Sequence, residues 1–147
     1  MKLAVVILNF NGRSYLQQFL PTVIEHSNGH EIIVADNCST DDSVKFMQQE
    51  FPAIQLICLP ENVGYSEGYN QTLRQLKDIT HCVLLNSDVE VTPNWIEPVL
   101  EAMNQDQTIV AAQPKIRDYH QTTKFEYAGA GGGFIDSLSW ARLMIML

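Results

Sequence analysis

The stretch Leu3-Ala4-Val5-Val6-Ile7-Leu8 runs directly into Asn9-Phe10-Asn11-Gly12. An apolar run with no polar alternation describes a strand buried on both faces, as in a parallel sheet covered by helices. It is also too short for the apolar segment of a signal peptide or for a membrane span. Comparable runs recur at 32–35, 54–59, 82–85 and 109–112.

Stretches of helical period separate these runs. Leu16, Phe19, Leu20, Val23 and Ile24 mark one face of a first helix, which Pro21 is expected to kink or restart. Ser39-Thr40-Asp41-Asp42 reads as a cap with acids for the first turn of a second helix carrying Val44, Met47 and Phe51. Tyr65, Tyr69, Leu73 and Leu76 define a third, its two tyrosines open to either core packing or ligand contact. Thr92-Pro93 reads as the cap and first residue of a fourth, continuing through Trp95, Ile96, Val99, Leu100 and Met103, with Pro98 as a local kink. Strand and helix in alternation predict an α/β fold with a doubly wound, mostly parallel sheet. Past about residue 113 the pattern weakens. Gly129-Ala130-Gly131-Gly132-Gly133 reads as loop, and the apolar tail Leu143-Met144-Ile145-Met146-Leu147 must either pack or remain a sticky surface.

Composition narrows the function. A chain of 147 residues suits one domain with a real core. Nine basic against seventeen acidic residues give a net charge of −8, the wrong sign for gripping a nucleic-acid backbone, so no nucleic-acid partner is expected. Cys38, Cys58 and Cys82 form no CxxC pair and read as reduced core thiols of a cytoplasmic protein. His26, His30, His81 and His120 lack metal-ligand spacing and read as surface or turn residues.

The residues that end each apolar run carry the functional signal. Asn9 and Asn11 follow the first, Asp36 and Asn37 the second, Asn62 the third, and Asn86, Asp88 and Glu90 the fourth. In an open parallel sheet these positions share the carboxyl edge, where ligands bind. Turn chemistry explains any one of them. Agreement among four strand ends points instead to a ligand crevice. The first strand lacks the GxGxxG of a dinucleotide site, and no phosphate-cradling P-loop is present, so a bound diphosphate would need a cation to screen it. Asp88 and Glu90 supply hard oxygens suited to Mg²⁺ or Mn²⁺, and two positions apart on an extended segment they would project to one face.

Four segments, Val6–Gly12, Glu31–Asp41, Asn62–Asn70 and Leu84–Val91, together resemble the nucleotide-binding half of a family-2 glycosyltransferase of the GT-A fold, in order and in spacing. The resemblance covers about residues 3–116. It implies a three-layer, Rossmann-like GT-A fold, with residues 1–116 as a nucleotide-sugar-binding domain and 117–147 as the incomplete start of an acceptor-side region. The implied reaction is metal-dependent, inverting transfer from a UDP- or dTDP-linked sugar to a glycan or lipid-linked acceptor. Asp36 would bind the base or ribose, Asn9 and Asn11 would line the base pocket, and Asn62, Gly64 and Gly68 would shape the loop near the ribose and diphosphate. Asn86 would bind ribose or donor sugar, and Asp88, with Glu90 as a second ligand, would hold Mg²⁺ or Mn²⁺. Asn86-Ser87-Asp88-Val89-Glu90-Val91 is similar to members that transfer rhamnose or related sugars in bacterial polysaccharide assembly.

The family's general base lies in a later segment. Asp118, Glu126 and Asp136 are the late acids here, none in a recognisable family motif, so the catalytic base reads as absent and the chain as a shortened transferase. The loop from Phe125 to Gly133 is expected near the donor sugar. Lipid-linked acceptors imply a position at the inner membrane face, and the apolar tail implies self-association. Two alternatives stand beside this one. One is a nucleotide-sugar-binding module without turnover. The other is a nucleotidyltransferase, which would normally carry a glycine-rich, basic loop where Asn9-Phe10-Asn11-Gly12-Arg13 stands.

Overall fold

The computed structural model describes residues 2–126 and the backbone of residues 144–146. In chain order the elements are β1 (Leu3–Asn9), α1 (Arg13–His26), β2 (Glu31–Asp36), α2 (Ser43–Glu50), β3 (Gln55–Cys58), α3 (Tyr65–Gln75), β4 (His81–Asn86), α4 (Glu97–Gln105), β5 (Ala111–Ala112) and β6 (Met144–Met146). The sheet runs β3-β2-β1-β4-β6-β5, and each of these pairings is parallel. Successive strands build outward from β1 on one side as far as β3, and then the chain returns to place β4 on its other side. That reversal puts a topological switch point between β1 and β4, at whose carboxyl end such sheets bind ligands.

Both faces of the sheet are covered, which is why the central runs are apolar without alternation. Leu3, Val5, Ile7, Val34, Val83 and Leu85 pack on one face with Leu16, Leu20 and Val23 of α1, Met47 of α2 and Met103 of α4. Ala4, Val6, Ile33, Ile57, Cys82 and Leu84 pack on the other with Tyr69 of α3. The expectation of double burial fails at the margins. In the edge strand β3 only Ile57 is fully buried, and the predicted strand at 109–112 pairs through just Ala111 and Ala112. Cys58, on that edge, is exposed and Cys38 is half-buried, so of the three expected core thiols only Cys82 is one.

Several expected element boundaries move. Helix α1 continues through Pro21, which is exposed, because Leu16, Phe19, Leu20 and Val23 anchor it in the core on both sides. Helix α4 begins at Glu97 and not at Pro93, which puts Pro98 in the first turn, where its missing N–H has no intrahelical partner to lose. The preceding segment is held by its own buried residues, Val91 and Ile96. Of the apolar tail, residues 144–146 pair as a strand between β4 and β5, and the rest lies outside the described residues. Among the described residues no helix is long and apolar enough to cross a membrane.

Tyr69 resolves the choice left open for α3. Its hydroxyl donates to the carbonyl of Leu85 at 2.9 Å, tying helix to sheet, while Tyr65 remains 50% exposed. Burial, followed by the nearby Tyr65, pushes the Tyr69 phenol well above its ordinary value. A phenol whose folded pKa is raised stabilises the fold fully below the unfolded value near 10 and loses that contribution as pH climbs beyond it. Tyr69→Phe is expected to cost about 1 kcal/mol at neutral pH. It should also flatten the alkaline fall in stability above about pH 10. Urea unfolding at neutral and alkaline pH measures both.

Candidate functional site

The carboxyl edge is assembled by strand register. Asn9 lies opposite Asp36, and Leu8 lies opposite Asn86, so β1 is flanked by the ends of β2 and β4. The two flanking ends are about 10 Å apart at ordinary strand spacing, which places Asp36 and Asn86, two residues before Asp88, on one edge. Asn9 is 0% exposed and Asp36 2%. Asn9 Nδ2 donates to Asp36 Oδ1 at 3.0 Å, Ser39 Oγ donates to the same oxygen at 2.6 Å, and the Ser39 amide donates to Asp36 Oδ2 at 2.8 Å. A buried carboxylate supplied with three donors is fixed in place as an acceptor.

The neighbouring loops are drawn into the same arrangement. Asn11, with φ +51°, turns its Oδ1 to the Thr40 amide at 2.7 Å and to the Asp41 amide at 3.3 Å, while its own amide donates to Ser39 Oγ at 2.8 Å. Asn37 joins the end of β2 to the loop before α3. Its Nδ2 donates to Asn62 Oδ1 at 2.9 Å and to the Gly64 carbonyl at 3.1 Å, and its Oδ1 accepts from the Val63 amide. Asn62 Oδ1 also accepts from the Gly64 amide at 3.0 Å. The side-chain oxygens of Asn11 and Asn62 are thus occupied in shaping the rim.

The glycines differ in what they do. A Cβ on Gly12 would meet Asn9 Oδ1 at 2.4 Å and Ser87 Oγ at 3.1 Å, so the β1–α1 turn rests directly on the Asn9 side chain. Gly64 adopts φ +80° at the start of α3 with open space around it. Gly68, expected in the loop near the diphosphate, lies inside α3, where its Cβ position is 3.0 Å from Leu8 Cδ1, so the approach it permits is of helix to strand.

On the far side of β1, Asn86 is half-buried and in register with Leu8, on the α3 side of the sheet, whereas Asn9 and Asp36 are on the α1–α2 side. The candidate residues therefore lie on both faces at the sheet's end. Asp88 and Glu90 are exposed, but residues 87 and 88 form a turn, so the extended alternation expected to aim both carboxylates alike is not present. Among the described residues no three His, Cys, Asp or Glu side chains gather into a group that could hold a metal alone. Phe10, at the tip of β1, is 48% exposed. The late acids separate as well. Asp118 Oδ1 accepts from the amides of His120 and Gln121 in a turn, and Glu126 is exposed. Asp136 and most of the loop 125–133 lie outside the described residues.

The family model for Glycosyl transferase family 2 matches residues 4–140. The chain belongs to this family. An N-acetylglucosaminyl-diphospho-decaprenol L-rhamnosyltransferase of Mycobacterium tuberculosis is 27% identical over 127 residues, covering 79% of this chain and 41% of that protein. A glycosyltransferase of Bacillus subtilis named for teichuronic acid biosynthesis, TuaG, is 29% identical over 104 residues, 68% of this chain and 41% of that one. The chain thus spans 41% of the length of these relatives. Among solved structures, S. aureus TarS 1–349 in complex with UDP superposes with a TM-score of 0.68 at 17% identity, over 82% of this chain and 37% of that chain. GalNAc-T7 with UDP, GalNAc and Mn²⁺ gives 0.66 at 19% identity, over 79% and 23%. These likenesses establish the GT-A fold.

Within this family-2 framework, the structure adds site residues that strand-end reasoning passed over. Ser39 bonds Asp36 and Asn9, and Ser87 Oγ lies beside the Gly12 turn, although neither ends an apolar run, while Asn37, which does, ties the β2 end to the loop before α3. Their signal was a run of small polar residues on both sides of the acids, Asn37-Cys38-Ser39-Thr40 and Ser87, too short to define a helix or a strand. Such residues supply the hydroxyls and amides that hold a buried carboxylate.

Proposed function

We propose that the chain binds a nucleoside-diphosphate sugar across the carboxyl ends of β1, β2 and β4, as the donor half of an inverting glycosyltransferase acting on a glycan or lipid-linked acceptor. The observation that carries this reading is the buried Asn9–Asp36 pair beside the switch point, with exposed Phe10 and exposed Asp88 on the same rim. Asp36 spends three acceptor positions on Asn9 and Ser39, leaving one of its roughly four for an N–H or O–H of the donor nucleoside. The Phe10 ring offers a face for a base. The names of the relatives and the UDP-bound neighbours support a nucleotide-linked donor.

A divalent cation fits these residues in one way. Mg²⁺ is commonly held by one or two carboxylates together with substrate phosphates, which suits a rim with Asp88, Glu90 nearby and no three-residue cage among the described residues. Bound there, Mg²⁺ or Mn²⁺ would offset charge on the departing nucleoside diphosphate. Titration calorimetry with UDP and dTDP, with and without Mn²⁺, tests the reading. One of the two nucleotides should bind, about ten-fold more tightly with Mn²⁺. Asp88→Ala should lose only the metal-dependent gain, and Phe10→Ala should weaken binding with and without metal. No binding of either nucleotide by the parent chain would sink the proposal, and an unchanged Asp88→Ala would remove that residue from the site.

A further inference from the structure

We propose that Asp41 is a positioning residue that sets the width of the donor crevice by capping two helices at once. Its carboxylate reaches out of the β2–α2 loop in both directions. Oδ2 accepts from the Arg13 amide at the start of α1 at 3.1 Å, and Oδ1 accepts from the Ser43 amide at the start of α2 at 3.0 Å. Neither helix has a cap of its own. The N-cap of α2 is Asp42 and the N-cap of α1 is Gly12, and neither makes a side-chain capping bond.

The shortfall at α1 follows from the site. Position 12 cannot carry a capping side chain, because its Cβ would fall 2.4 Å from the buried Asn9 Oδ1. The helix therefore starts without the acceptor that its first amides require, and no acid stands in its own first turn. Asp41, 28 residues along the chain from Arg13, supplies that acceptor. The link is returned in the other direction, since the Asp41 and Thr40 amides both donate to Asn11 Oδ1. Loops 9–13 and 39–43 are thereby closed into one ring around the Asn9–Asp36 pair. Hydrogen bonds from Ser43 and Arg13 hold the Asp41 carboxyl below its usual range, outweighing the opposing effect of burial. Phe10 and Asn11 ride on one loop and Ser39 on the other, so loosening Asp41 displaces both walls without removing any group that faces a ligand.

This inference rests on the donor reading, and its test separates the two. Hydrogen exchange of individual amides and UDP calorimetry are measured on the parent chain and on Asp41→Ala. Asp41→Asn, which keeps one carbonyl acceptor, serves as a milder second variant. The expected result is exchange about ten-fold faster at Arg13 and Ser43, the equivalent of a lost cap, with amides of β1, β2 and β4 within about two-fold of the parent. UDP affinity should fall about ten-fold in Asp41→Ala and less in Asp41→Asn, and saturating UDP should restore protection at Arg13, as coupling between site and clasp requires. UDP affinity within about two-fold of the parent in both variants, or protection lost evenly across the sheet, would overturn the proposal. Failure of the parent chain to bind UDP would count against the donor reading alone, and unchanged exchange at Arg13 and Ser43 would then still refute the clasp.

Discussion

Gly12→Ala is expected to cost about 3 kcal/mol of folding stability and to remove donor binding with it. The added carbon would stand 2.4 Å from Asn9 Oδ1 and 3.1 Å from Ser87 Oγ, and the nearer of these atoms has nowhere to go. Asn9 is fully buried, and its Nδ2 is committed to Asp36 and Ser39. Rotating the amide away from a new methyl would therefore break the pair at the centre of the site. Moving the backbone instead would pull Gly12 off the start of α1, where its carbonyl accepts the first intrahelical bond from Leu16. Gly64→Ala provides the contrast. Nothing lies within 4 Å of that Cβ position, and the penalty is the left-handed φ of +80° alone. With ψ −176° that backbone is essentially confined to glycine, and it costs about 1 to 3 kcal/mol for a side-chain-bearing residue. Urea unfolding of the two variants, with UDP calorimetry on each, checks the ranking. A Gly12→Ala cost below about 1 kcal/mol, with donor binding unchanged, would mean that the turn is not packed on Asn9.

The contrast between these glycines shows what the sequence displays and what it leaves hidden. Conformational signals are local, and so the strands from β1 to β4, the carboxyl-edge acids and amides, and α1 to α3 are legible from runs and periods of a few residues. Packing signals are not local. Gly12 looks like an ordinary turn glycine until the Asn9 side chain is built above it. Ser39-Thr40-Asp41-Asp42 has the composition of a local helix cap, yet half of the capping done by Asp41 serves a helix 28 residues earlier. For α4, Thr92-Pro93 reads as the start and Pro98 as a kink, yet burial of Val91 and Ile96 holds the segment between them and the helix begins at Glu97. Strand β6 has no neighbour within fifty residues to pair with other than β5, and its insertion between β4 and β5 depends on the whole sheet. An apolar tail announces that it needs a partner without naming it. The same limit explains Asn86 and Gly68, whose positions relative to the sheet's two faces depend on register and helix docking.

Asp36→Asn, the smallest change available at the centre of the site, is expected to cost about 3 kcal/mol, because Oδ2 faces a backbone N–H that cannot turn acceptor and Oδ1 faces an Asn9 amide that could do so only by flipping. Oδ1 receives Asn9 Nδ2 and Oδ2 receives the Ser39 amide. Whichever way the new side-chain amide is oriented, its NH₂ must oppose one of these N–H groups in a place without water, and the Ser39 hydroxyl can relieve only one side. Asn9 could flip to present its oxygen, but that would swing its NH₂ to where Gly12 sits closest. Donor affinity should fall with stability, since the carboxylate holds Ser39 and Asn9 as well as offering its last acceptor position. Asp88→Asn, equally isosteric, lies on an exposed turn and should stay within about 0.5 kcal/mol of the parent in stability. Its effect should be confined to the Mn²⁺-dependent part of UDP binding. Urea unfolding and calorimetry on the pair thus divide the rim's carboxylates into one that builds the site and one that meets what enters it. Asp36→Asn at parental stability would show that the bonds to Asn9 and Ser39 do not hold the rim together.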